Sequence, residues 1–189
     1  MSERTTEARL AQCDPAAVPF FRSALGRALA YGADAYVERD PWRTPEQQAE
    51  KVRLGLSERL DSAHTHTRTV PISIKQPNTG AGAVTVPASR AIHLISRAHF
   101  YFVTHAAGLP AFAVRVGAAF LKEGLVTGVL YGPKDRAMAE EHREQWDLVS
   151  AGLRLALTDE RWRDAEALFE VGQSFGACWD PLHGEWRPA

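Results

Sequence analysis

The stretch Ser89-Arg90-Ala91-Ile92-His93-Leu94-Ile95-Ser96-Arg97-Ala98-His99-Phe100-Tyr101-Phe102-Val103-Thr104-His105-Ala106-Ala107 decides how this chain is read. Ile92, Ile95, Phe102 and Ala106 fall on one helical stripe, and Arg90, Arg97 and Thr104 on another. That periodicity predicts an amphipathic helix over 89–107. Pro110 is placed to open a further helix to about residue 123, with Phe112, Val116, Ala119 and Phe120 as its apolar positions.

Working outward, Val70, Ile72 and Ile74 alternate with polar or small residues, and Ala83-Val84-Thr85-Val86 follows a turn rich in Gly, Asn and Pro. This predicts one β-hairpin over about 67–87. Toward the N-terminus, Asp14-Pro15 marks a helix start, as does Thr44-Pro45-Glu46-Gln47, where Thr44 and Gln47 have the spacing of a capping box. The helices so opened run to about residues 31 and 60. Toward the C-terminus, Gly132-Pro133-Lys134-Asp135 opens a long helix with Trp146, Val149, Leu153 and Leu157 inward. Thr158-Asp159-Glu160 then opens the second arm of an αα-hairpin. The expected architecture is mainly α: a single compact domain over 1–189, with five or six helices and one β-hairpin. Residues 1–13 are expected to fray, and 173–189 to form an irregular tail that packs back through its tryptophans.

Composition is that of an ordinary globular protein, with 45% hydrophobic and 24% charged residues and two cysteines, Cys13 and Cys178. Two lone thiols and no basic-then-apolar start predict a cytoplasmic protein. The apolar run over 98–114 is interrupted by Gly108-Leu109-Pro110 and is too short for a membrane span.

Motifs for chemistry are scarce. His93, His99 and His105 are six residues apart, so on the expected helix they cannot share a face. His64 and His66 make only a two-ligand pair. Glu140, Glu141 and Glu144 read as a solvated helix face, since no Glu-x-x-His accompanies them. Cys178, Asp180 and His183 lie close together in the tail, but Cys178 between Ala177 and Trp179 reads as a small buried hydrophobe. No metal, cofactor or catalytic set is assigned on these grounds.

Charge is more informative. Residues 62–122 carry six basic side chains and no acidic one, whereas residues 123–189 carry seven basic and thirteen acidic. Neutralisation within the molecule accounts for much of this. The functional reading is a non-catalytic interaction protein (adaptor, inhibitor or immunity-like) that contacts another protein or a small anionic ligand through Arg68, Lys75, Arg90 and Arg97. The overall pI of about 6.7 and the lack of a basic run argue against nucleic acid. The competing reading is a small helical enzyme or ligand-binding protein, with His99, Phe102, His105, Phe112 and Trp146 lining an internal pocket.

Overall fold

The computed structural model describes residues 3–54, 62–72, 82–99 and 108–188. Its elements in chain order are α1 (Glu3–Leu10), α2 (Val18–Ala30), β1 (Tyr36–Val37), α3 (Pro45–Arg53), a 3-10 turn (Ala63–Thr65), β2 (Thr67–Ile72), β3 (Gly82–Pro87) and β4 (Ala91–Ile95). There follow α4 (Leu109–Lys122), β5 (Val126–Thr127), a 3-10 turn (Gly128–Leu130), α5 (Arg136–Glu141), α6 (Arg143–Thr158), α7 (Trp162–Ser174) and β6 (His183–Glu185).

The fold is rich in helix but mixed α/β, with seven α-helices among the described residues and a small antiparallel sheet in addition to the β2–β3 pair. The stretch that predicts a helix over 89–107 instead supplies β4, the second strand of a four-stranded sheet ordered β1-β4-β6-β5. Ala91, Ile92, His93 and Leu94 are all buried, so both faces of β4 are covered. A strand buried on both faces carries a continuous apolar run, which periodicity alone cannot tell from a buried helix. Residues 100–107, the rest of that expected helix, lie outside the described residues.

The tail corrects the reading a second time. Its residues 183–185 form β6, which lies between β4 and β5 and pairs antiparallel with both. A three-residue His-Gly-Glu strand has little intrinsic β preference. Its position is set by packing, and Gly184 shows how: a Cβ there would lie 2.4 Å from the Phe120 ring.

Other elements follow their local signals more closely. Thr44 caps α3 in a full capping box with Gln47, the helix ending at Arg53. The long helix expected after residue 132 is two helices, α5 and α6, meeting at His142. Residues 3–10 form a helix, and Leu10 and Cys13 are buried in the core. β2 pairs antiparallel with β3 from Thr67↔Pro87 to Ile72↔Gly82.

Helix α4 is the hub. Its Phe112, Ala113, Val114, Val116, Ala118, Ala119 and Phe120 are buried, and it packs against α2, α6, α7 and the sheet. Gly117 keeps one approach close, since a Cβ there would fall 2.4 Å from Val129. No described helix is long and apolar enough to cross a membrane.

Candidate metal centre

Three buried histidines from three separate segments meet beside β4: His64, His93 and His183. Each presents one ring nitrogen, and the three nitrogens lie within 4.8 Å of one another. This is the one group of three or more metal-ligating side chains found among the described residues.

The backbone explains the convergence. His93 and His183 are direct register partners of the antiparallel β4–β6 pair, so their side chains leave the sheet side by side on one face. His64 sits in the 3-10 turn, which Ser62 caps by accepting from the His64 N–H. That turn is tied to its surroundings at both ends: Arg90 N–H donates to Ala63 O, and Arg43 N–H donates to His64 O. The His64 and His93 rings lie nearly parallel with centroids 5.1 Å apart, and the His183 ring stands edge-on to both at 5.4 and 5.2 Å.

Each ring has at least one nitrogen occupied or faced by an oxygen acceptor. His64 Nδ1 lies 2.6 Å from the Pro41 carbonyl, and His93 Nδ1 lies 2.7 Å from Glu38 Oε1. That same Glu38 oxygen also accepts from the His93 backbone N–H. His183 Nε2 faces Glu185 Oε2 at 3.9 Å. Donation of the far ring N–H to a carbonyl or carboxylate is how metal-bound imidazoles are commonly oriented.

The opposite nitrogens differ in their partners. His64 Nε2 and His183 Nδ1 are buried and have no hydrogen-bond partner. His93 Nε2 lies 3.2 Å from Asp180 Oδ1, and His183 Nδ1 lies 3.7 Å from Asp180 Oδ2. Two ligands on one tetrahedral ion with bonds of about 2.1 Å are separated by roughly 3.4 Å. The Asp180 carboxylate therefore already stands at ligand spacing from one ring and close to it from another. A glycine permits this: a Cβ on Gly128 would fall 1.7 Å from the Asp180 carbonyl oxygen.

Electrostatics separate the histidines. Burial, reinforced by the Arg43, His93 and His183 charges, holds His64 well below its ordinary pKa. Burial also opposes charge on His93, but the flanking Glu38 and Asp180 carboxylates overcome it and raise its pKa to about 10. Asp180 is lowered to about 2, because the attraction and hydrogen bond of His93 outweigh its own desolvation. Glu185 is lowered to about 2 as well, chiefly through its interaction with His183 and then with Arg187.

The residues singled out by sequence are mostly elsewhere. Arg90 precedes β4, bonds Asp14 at 3.2 Å and lies over the Trp186 ring, while Arg97 follows β4 and is exposed. The strand β4 lies between them, so they do not form the shared helical face expected of them. Arg68 is exposed on β2, and Lys75 lies outside the described residues. His99 stacks on Phe112 with ring centroids 4.8 Å apart, and both line a small pocket with Arg97 and Arg115. Trp146 lies apart from that pocket, edge-on to Phe175. Phe102 and His105 lie outside the described residues.

The tail trio also divides. Asp180 and His183 join the centre, whereas the Cys178 thiol donates to the Val129 carbonyl at 2.9 Å and burial pushes its pKa up to about 12. Sequence reasoning had His93 in the wrong element and compared it with the wrong partners. The usable signal was Asp180-Pro-Leu-His183 in the tail, together with His64. The chain matches no protein-family model, no curated protein and no solved structure.

Proposed function

We propose that this protein binds a divalent first-row transition metal ion, with Zn²⁺ the best fit, through His64, His93, His183 and Asp180. The observation that carries this reading is the pair of buried, partnerless ring nitrogens, His64 Nε2 and His183 Nδ1, beside an imidazole–carboxylate pair at ligand spacing. A buried polar atom without a partner costs about 1–3 kcal/mol. One ion supplies a partner for both nitrogens at once. Three imidazoles and one carboxylate suit Zn²⁺, which takes nitrogen and oxygen ligands in tetrahedral geometry.

Four protein ligands close the coordination shell, which favours a metal that holds structure over one that keeps an open position for catalysis. The ion would join the 3-10 turn, β4 and the C-terminal tail, segments distant in sequence that are otherwise linked by a few backbone hydrogen bonds and the short β4–β6 pairing. This accords with a non-catalytic protein. Glu38, Pro41 O and Glu185 would be the outer groups that orient the rings.

Equilibrium dialysis of the chelator-treated full chain against Zn²⁺ tests the proposal. One ion per chain is expected, and His64→Ala or His183→Ala should weaken uptake by about 100-fold or more, beyond the usual loss for an outer-shell change. Stoichiometric uptake that survives both substitutions, or no uptake by the folded parent chain, would overturn it.

A further inference from the structure

Glu38, which holds His93, also forms part of the wall of a cleft of about 1020 Å³ between α3 and the end of β4. That volume is at the upper end of those that accept small organic ligands. Its wall combines Tyr36, Trp42 and Ile95 with the cations Arg43, Lys51 and Arg97. The wall also carries four acids, so its formal charge is no guide until their partners are counted.

Each acid is engaged. Glu38 accepts from His93, Asp40 lies 3.9 Å from Arg39, and Glu50 is bound by Arg53 at 2.6 Å. Glu46 is held at the start of α3 by its own backbone N–H and by Thr44. Two of the cations, Arg43 and Arg97, are less committed to charge. The closest side-chain acceptor recorded for the Arg43 guanidinium is the neutral Gln48 amide oxygen at 3.4 Å, and Arg97 is exposed with no carboxylate within 4.0 Å among the described residues. Beside Arg43, the Trp42 indole N–H is buried with no acceptor. The Arg43 and Arg97 guanidiniums, both in the cleft wall, are donors that lack an anionic acceptor among the described residues. The aromatic faces of Trp42 and Tyr36 suit a planar group attached to that acceptor.

We infer that this cleft binds a small aromatic molecule bearing an oxyanion, a carboxylate or a phosphate, with the anion held by the Arg43 and Arg97 guanidiniums. Neither group is a proposed metal ligand, although the Arg43 charge reaches His64 and Asp180. Benzoate and phenyl phosphate serve as probes, with phenol as the uncharged control, in calorimetric titrations of the full chain with and without Zn²⁺.

Saturable binding of at least one of the two anions, and not of phenol, is expected; the tighter of the two identifies the oxyanion. Arg43→Gln should weaken it by about tenfold or more, as the loss of a charge-assisted hydrogen bond does. Arg97→Gln, at an exposed position with little bearing on folding, should weaken it too, and Arg68→Gln should not. Phenol binding equal to that of the anions, binding indifferent to Arg43→Gln and Arg97→Gln, or no binding would overturn the inference. Anion binding without Zn²⁺ uptake would sink the metal proposal and leave the cleft standing; uptake without anion binding would do the reverse.

Discussion

The helical layer and the sheet layer of this molecule bury different things. The buried residues of α2, α4, α6 and α7 are apolar side chains and glycine, with Phe21, Phe120, Leu153, Leu157 and Phe169 the largest. The buried polar and charged residues all lie outside those helices, in or near the sheet and the segments leading to it: Glu38, Gln48, His64, Ser89, His93, Ser96, Thr127 and His183. Apolar burial stabilises a fold wherever it occurs, whereas a buried polar group is stabilising only when its partners are in place. The helical layer therefore reads as scaffold. The sheet side, with ring nitrogens that lack partners, reads as the place where something else is bound.

Substitutions should separate the two layers. Phe169→Ala in the helical layer empties a fully buried site, and about 3–5 kcal/mol of stability should be lost in urea unfolding. Zn²⁺ affinity of the folded variant should be unchanged. A large loss of affinity in the folded state would show that the layers are not separable.

Glu38→Gln acts on the sheet side. It keeps the shape but removes the charge that orients His93. Zn²⁺ affinity should fall by about 10–100-fold, the range for an outer-shell partner. Competition with a chromophoric chelator measures this, and an unchanged affinity would remove Glu38 from the centre.

A further effect is on pH dependence in the metal-free protein. His64 is depressed, so the folded state binds fewer protons than the unfolded state below about pH 6.5, and stability falls as pH falls. His93 is raised to about 10, so the folded state binds more protons above 6.5, and its contribution is lost as pH rises toward 10. The two together predict a stability maximum near pH 6.5, with limbs no steeper than about 1.4 kcal/mol per pH unit for each proton. Urea midpoints across pH 5 to 9 check it, and His93→Gln should flatten the alkaline limb. A monotonic profile in the parent chain would break the proposed division between the two rings.

What was legible in the sequence was what local chemistry controls. The capping box at Thr44 and Gln47 depends on atoms three residues apart, and it forms as read. The strand β4 was not legible, because Ala91-Ile92-His93-Leu94-Ile95 is covered on both faces and loses the alternation that marks a half-buried strand. Nor was β6, which His183 and Gly184 occupy because Phe120 and the neighbouring strands leave room only there. The site inherited both failures. With His93 placed on a helix, its natural comparisons were His99 and His105, whereas its actual neighbours come from a turn before it and a tail far beyond it. Within the acid-free segment over 62–122, Arg90 is bonded to Asp14, and the charge-bearing groups that meet around His93 are Glu38 and Asp180.

The most direct test of the account replaces Zn²⁺ with Co²⁺ and reads the visible spectrum of the full chain. Three imidazoles and one carboxylate in a four-coordinate site should give intense ligand-field bands at one equivalent, abolished in the His64→Ala/His183→Ala double variant. Weak octahedral bands, or a tetrahedral spectrum that persists in that variant, would contradict it.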